Sequence, residues 1–225
     1  MNLSYESELK KADTMKGTMH RLKMLGIVPD NIVDIGAAAG KWTAKALSYW
    51  PDAHYVLIEP LEEQVSTLDR LTAKYANIHY HTGVAGSVSG TVPFLVTDDL
   101  DGSGVYGKEG ANVRELPVLT VDSITSQKQG SFLMKLDTHG YEVPVLKGAQ
   151  QTLKHTDVLI IEVYGFKVSP TALLFHQLSS WLEEKGFRLF DIVDVMRRQK
   201  DLAFWQADAV YLKENHQLFQ NNGYR

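Results

Sequence analysis

The stretch Ile32-Val33-Asp34-Ile35-Gly36-Ala37-Ala38-Ala39-Gly40-Lys41-Trp42-Thr43 constrains this chain more than any other. Ile32, Val33 and Ile35 form a short β-branched run of the kind buried on both faces of a parallel sheet, and small residues lead from it into a helix. Gly36 and Gly40 remove side chains where backbone bends sharply or approaches a ligand, and the helix that follows directs free N–H groups to that place. A phosphate-cradling loop is excluded, because only Ala37, Ala38 and Ala39 separate the glycines and Trp42 separates Lys41 from Thr43. A dinucleotide fingerprint wants a middle glycine beside the pyrophosphate, where this chain has Ala38; that counts against NAD. S-adenosylmethionine has no phosphate and needs only the bend, and Asp34 would then take its ammonium group. An α/β turn that holds no ligand is the plain alternative.

Ahead of this turn, residues from about Ser4 to Leu25 read as a helix with an apolar stripe of Met15, Met19, Leu22 and Leu25, stopped by Gly26 and Pro29. The stripe reads as packing rather than a ligand surface. Residues 1–28 are therefore expected to be a helical segment lying on a single domain of residues 29–225. After the turn, Thr43, Ala46, Leu47 and Trp50 share a helical face that Pro51 ends. The strand Tyr55-Val56-Leu57-Ile58 closes on Glu59-Pro60, and Glu59 follows Gly36 by 23 residues. A doubly wound fold places a ribose-binding carboxylate at that spacing, although an acid opening the helix of Leu61, Val65, Leu68, Thr72 and Tyr75 is the other reading.

Ile78 to Val84 reads as a third strand, and Gly83-Val84-Ala85-Gly86 at its end is small enough to pass beside an adenine. Thr91 to Val96 reads as an extra strand. A glycine-rich polar loop within about 97–116 follows, of a length that usually makes a functional lid or is disordered. Leu116 to Val121 is strand-like and ends at Asp122.

A second informative cluster is Phe132-Leu133-Met134-Lys135-Leu136-Asp137-Thr138-His139-Gly140-Tyr141-Glu142. Alternation puts Lys135 and Asp137 on one face of a strand. A lysine in an apolar strand needs a partner, and Glu162, near the end of Val158-Leu159-Ile160-Ile161-Glu162-Val163-Tyr164, is the expected one. Asp137 sits at the strand tip, where open parallel sheets place ligands and chemistry. Val145, Leu146, Ala149 and Leu153 make the helix face between these strands. Ser169-Pro170 is expected to open a helix lined by Leu174, Leu178, Trp181 and Leu182. Phe187 to Val193 and Ala203 to Leu212 are expected to form an antiparallel hairpin at the sheet edge, with Asp191, Asp194, Arg197 and Arg198 as solvated turn and edge charges.

Composition narrows the function classes. The 225 residues carry a net charge of −4 and a pI near 6.1, leaving no bulk attraction for nucleic acid or an anionic membrane. There is no cysteine, hence no disulfide framework, thiolate zinc site or cysteine nucleophile. Met1 to Leu9 lacks the apolar core of a signal peptide, and a cytoplasmic location is expected. The sequence carries no reading of oligomeric state.

Several of these stretches together resemble the FkbM family of S-adenosylmethionine-dependent methyltransferases, over about residues 30–166. They are the opening turn, Ile58-Glu59-Pro60, the segment Pro117 to Ile124, the cluster Lys135 to Glu142, and Leu146-Lys147-Gly148-Ala149. His139 stands where that family usually has Glu. The resemblance implies a Rossmann-like class I methyltransferase fold, with a mostly parallel seven-stranded sheet and helices on both faces. It also implies O-methylation of a hydroxyl on a sugar, polyketide or related metabolite. Donor contacts are then expected from Asp34, Gly36, Ala37, Gly40, Trp42, Glu59, Pro60, Gly83, Val84 and Asp137.

Methyl transfer to an alcohol needs the hydroxyl proton removed, so a base or a metal is expected. Either His139 or Asp137 is expected to take the proton, with the other orienting it and Lys135 and Glu162 beside them. Asp137, His139 and Glu142 are the alternative, as ligands of a divalent cation, a less favoured reading. An NAD-dependent oxidoreductase and a catalytically silent S-adenosylmethionine-binding module remain the rival classes.

Overall fold

The computed structural model describes residues 12–105 and 112–223. Its strands are β1 (Asn31–Ile35), β2 (His54–Glu59), β3 (Ile78–Thr82), β4 (Val84–Ala85), β5 (Gly90–Leu95), β6 (Val113–Leu119), β7 (Phe132–Leu136), β8 (Thr156–Tyr164), β9 (Phe187–Arg197) and β10 (Phe204–Lys213). Seven of them build one sheet in the order β3-β2-β1-β7-β8-β10-β9. Its first five strands run parallel, and β10 runs antiparallel to both β8 and β9. This is the expected doubly wound α/β architecture with a hairpin at one edge.

The two-residue period of the strands separates two cores. Val33, Ile35, Met134, Leu136, Leu159 and Ile161 face one way, against Val145, Leu146, Leu178 and Leu182. Ile32, Leu133, Ile160 and Val210 face the other, against Met19, Leu22 and Leu68. Asp34, Lys135, Glu162 and Asp208 lie on this second face, nearer the β1 and β7 tips. Register aligns them, with Asp34 beside Lys135 and Glu162 beside Asp208. The charges thus fall in two short rows where the apolar layer stops, because Lys135 is opposite Ile160, two residues before Glu162.

Several local expectations are corrected. The helix after the turn spans only Lys41–Ala46; Trp50 lies beyond it, buried, its indole N–H donating to the Ile27 carbonyl at 2.9 Å. The third strand ends at Thr82. β4 leaves the main sheet and joins a three-stranded one of order β4-β6-β5. Gly83 permits that departure, because a Cβ there would stand 2.9 Å from the Pro117 carbonyl oxygen. Asp122 lies in a helix, Val121–Thr125, rather than at a strand end. Its carboxylate accepts from the backbone N–H groups of Gln151 and Thr152, opening the helix Gln150–Lys154. Ser169 and Pro170 form a separate turn, in which Ser169 Oγ accepts from Ala172 N, and the next helix starts at Phe175.

The first described helix is Met15–Met24, capped by Thr14, with Met15, Met19 and Leu22 buried. The expected helical residues 4–11 lie outside the described residues. Asp191 and Asp194 are not simply solvated. Asp191 pairs with Arg21 and accepts from Thr18, and Asp194 Oδ2 accepts from Met15 N at 3.0 Å, fastening this helix to β9. Among the described residues no helix is long and apolar enough to cross a membrane.

Candidate functional site

The turn after β1 is held from both sides. Gly36, Ala38 and Gly40 have φ of +75°, +46° and +70°. For Ala38 this left-handed conformation costs about 1 kcal/mol, opposed by a hydrogen bond from its N–H to Glu59 Oε2 at 2.7 Å. Glu59 Oε1 accepts from Leu61 N at 2.9 Å, so this one carboxylate ties the β1 turn to the segment after β2. Burial pushes the Glu59 carboxyl above the usual range, against those two N–H bonds. A Cβ on Gly36 would lie 2.0 Å from the Asp137 carbonyl oxygen, and one on Gly40 would lie 2.7 Å from Leu71 Cδ2. Both glycines therefore serve backbone bending and close packing of neighbouring elements.

Beyond the strand tips lies a cavity of about 600 Å³. Gly36, Glu59, Pro60, Gly83 and Val84 line it, and so do Asp137, His139 and Glu162. On the other side of the turn a smaller cavity of about 300 Å³ is lined by Gly36, Ala37, Trp42, Lys135 and Asp137, among others. Of the expected donor contacts, Gly40 and Asp34 line neither. Asp34 is fully buried behind the turn, where Oδ2 accepts from Thr43 Oγ1 at 2.6 Å and Oδ1 has no hydrogen-bond partner. Its expected contact with an ammonium group has no open path, because β1 directs the side chain under the turn. Burial raises its pKa, with the Lys135 ammonium acting against that rise.

Lys135 does not pair with Glu162. Its Nζ donates to Asp137 Oδ2 at 2.7 Å, two residues along the same strand face. Burial alone would raise the Asp137 carboxyl, but the Lys135 ammonium bonded to it outweighs that rise and holds Asp137 below the usual range. Glu162 lies across β8, where Oε1 accepts from Gln206 Nε2 at 2.5 Å and Oε2 accepts from the Tyr164 hydroxyl. Burial and the nearby Asp137 carboxylate push Glu162 up to about 8. The pair is thus asymmetric, with Asp137 biased toward its ionised form and Glu162 toward its protonated one.

His139 stands between them with φ +51°. Its Nδ1 is 3.0 Å from the Ser103 carbonyl oxygen, and its Nε2 is 3.5 Å from Asp137 Oδ1 and 3.6 Å from Glu162 Oε2. A carbonyl only accepts, so Nδ1 donates to Ser103, and Nε2 is the ring nitrogen turned toward the two carboxyl groups and the cavity. Ser103 comes from the polar loop, which is anchored by a bridge between Leu95 and Gly104 and by Thr97 N donating to Ser103 Oγ. Residues 106–111 of that loop lie outside the described residues.

The metal-ligand set read from sequence needs correction. Glu142 is 3% exposed, and its Oε1 accepts from Gly140 N at 2.8 Å and from Thr138 Oγ1, so it caps the turn below the cavity. Among the described residues, the groups that could share a cation are Asp137, His139 and Glu162, whose ligand atoms lie within 4.8 Å of one another. The structure adds Tyr164, Gln206 and Ser103 to the expected site residues. Tyr164 was within reach, being two residues from Glu162 on the same strand face; Gln206 and Ser103 carried no signal.

The Methyltransferase FkbM domain profile matches residues 34–189, more than half of the chain. The fold is similar to methyltransferase FkbM from Methylobacillus flagellatus KT, with 20% identity, a TM-score of 0.56, and coverage of 82% of this chain and 43% of that one. The chain thus spans under half the length of that relative. It is also similar to the Methanococcus jannaschii fibrillarin pre-rRNA processing protein, with 15% identity, a TM-score of 0.51, and 83% and 67% of the two chains covered. No curated protein matches the sequence.

Proposed function

We propose that this chain, which belongs to the FkbM methyltransferase family, transfers a methyl group from S-adenosylmethionine to a hydroxyl oxygen of a small acceptor. The donor set supports this cofactor. Glu59 at a strand tip suits a ribose, the small wall of Gly83, Val84 and Ala85 suits an adenine, and the turn from Gly36 to Thr43 lacks the spacing of a phosphate-binding loop. When bound, S-adenosylmethionine supplies an electrophilic methyl group on a sulfonium.

The observation that carries O-methylation is the orientation of His139. With Nδ1–H committed to the Ser103 carbonyl, Nε2 is free to take the proton of a hydroxyl in the cavity. The imidazolium so formed keeps its Nδ1–H bond, and the ionised Asp137 beside Nε2 compensates the new charge. Lys135 keeps Asp137 ionised and fixed, and the proton on Glu162 prevents a second repelling carboxylate. The acceptor we envisage is a hydroxylated metabolite rather than a nucleic acid or membrane lipid, and the site of action is the cytoplasm.

A divalent cation is the second reading, favoured only by the spacing of Asp137, His139 and Glu162. It would have to displace the Glu162 proton and compete with Lys135 for Asp137, so the base reading is preferred. The test is to incubate the chain with S-adenosylmethionine and a panel of hydroxylated acceptors and follow methylated product by mass spectrometry. Product that survives EDTA supports the base; product lost to EDTA and restored by magnesium supports the cation. Donor binding without product across the panel would leave a silent binding module, and binding of NADH instead would turn the reading to an oxidoreductase.

A further inference from the structure

The smaller cavity shares Gly36, Ala38, Gln64, Asp101 and Asp137 with the larger one, so the two adjoin across the turn after β1. The charges on its own walls are not balanced as they are elsewhere in the site. The Lys135 ammonium is committed to Asp137, and the Asp194 carboxylate to the Met15 N–H. The side chain of Asp208, on β10, has neither a hydrogen bond nor an ion pair among the described residues, although it is only partly exposed and flanked by the buried Ala207 and Ala209. Its charged neighbours are Lys135, Asp137, Asp194 and Lys45. The turn helix contributes Lys41 and Lys45 to the cavity, both exposed and neither in an ion pair, and Trp42, whose buried indole N–H has no partner.

An unpaired anion on the hairpin side and unpaired cations on the helix side are complementary to a zwitterion. Resting on the reading that S-adenosylmethionine is the donor, we infer that this cavity receives its α-amino-acid end. Asp208 takes the ammonium group, and Lys41 and Lys45 take the carboxylate. The hairpin of β9 and β10, which closes the sheet edge, thereby becomes part of the donor site. Asp34 does not serve there, because Thr43 and the turn seal it off.

The test compares two ligands by isothermal titration on the full chain. S-adenosylhomocysteine carries the amino-acid end, and 5′-methylthioadenosine lacks it. For D208N, S-adenosylhomocysteine is expected to bind about 10-fold or more weakly, the scale of one lost charge-assisted hydrogen bond, while 5′-methylthioadenosine binds as to wild type. Lys45→Ala, on an exposed helix face, is expected to weaken the same ligand selectively and does not depend on how D208N folds. Equal losses for both ligands in both variants, or no loss for S-adenosylhomocysteine, overturn the assignment. If wild type binds neither ligand, the donor reading itself falls and takes the subsite with it.

Discussion

His139 Nδ1 lies 3.0 Å from the Ser103 carbonyl oxygen, joining a residue at the tip of β7 to a loop 36 positions earlier in the chain. That contact sets which ring nitrogen faces the cavity. In H139N the amide nitrogen can still donate to Ser103, but nothing replaces the Nε2 lone pair. The expected outcome is a fall in kcat of about 10²- to 10⁴-fold with S-adenosylhomocysteine affinity unchanged. Steady-state kinetics and titration check it, and undiminished turnover would remove His139 from the chemistry.

Glu162 makes stability depend on pH, and the sign follows from its raised pKa of about 8. The folded state holds this proton more tightly than the unfolded chain does, so the stabilisation is complete below the unfolded pKa of about 4.3. It is lost as pH rises from there through about 8. E162Q resembles the protonated form and is free of this loss. Denaturation should therefore show E162Q gaining on wild type between pH 5 and pH 8, by no more than about 1.4 kcal/mol per pKa unit. A difference that does not change with pH would contradict the assignment of the proton to Glu162.

Much of the architecture was legible because it depends on local pattern. The β-branched run before Gly36, the spacing to Glu59 and the polar tip at Asp137 each express a period or a distance along the chain, and the structure keeps all three together at the sheet edge. What was not legible depends on register. Lys135 seemed to need Glu162, but alternation along its own strand already offered Asp137, and the alignment of Asp34 with Lys135 and of Asp208 with Glu162 exists only once strands pair. Asp191 and Asp194 looked like edge charges for the same reason, since the helix they hold lies more than 160 residues away. The second sheet escaped because β4 has only two residues, too few to express a period.

Gly36 tests whether the turn is built by backbone approach. An alanine there would put its Cβ 2.0 Å from the Asp137 carbonyl oxygen at a φ of +75°. Something must shift, and the Asp137 strand tip moves with it. G36A is expected to lose about 2 kcal/mol or more of stability and to lose measurable S-adenosylhomocysteine affinity. Gly90, where a Cβ would meet nothing within 4 Å, is the matched control, and G90A should stay near wild type. Thermal melts and titration on both variants decide it.

The Lys135–Asp137 pair is the last test, because it carries the charge logic of the whole site. Lys135 is 5% exposed and has Asp34, Asp137 and Asp208 around it. K135M removes the cation and leaves Asp137 beside two other acids, one of them fully buried. Removing one partner of a buried pair costs about 3–5 kcal/mol; with Asp137 a third open to the cavity, about 2 kcal/mol is the expectation here. D137N alone also destabilises, since it leaves the Lys135 ammonium without its hydrogen-bonded partner. In K135M/D137N both charges are absent, so the double variant should lose less than the sum of the singles. Urea denaturation of the four proteins gives the coupling directly. Strictly additive losses would mean that the two residues act independently, and that Asp137 is held ionised by something other than Lys135.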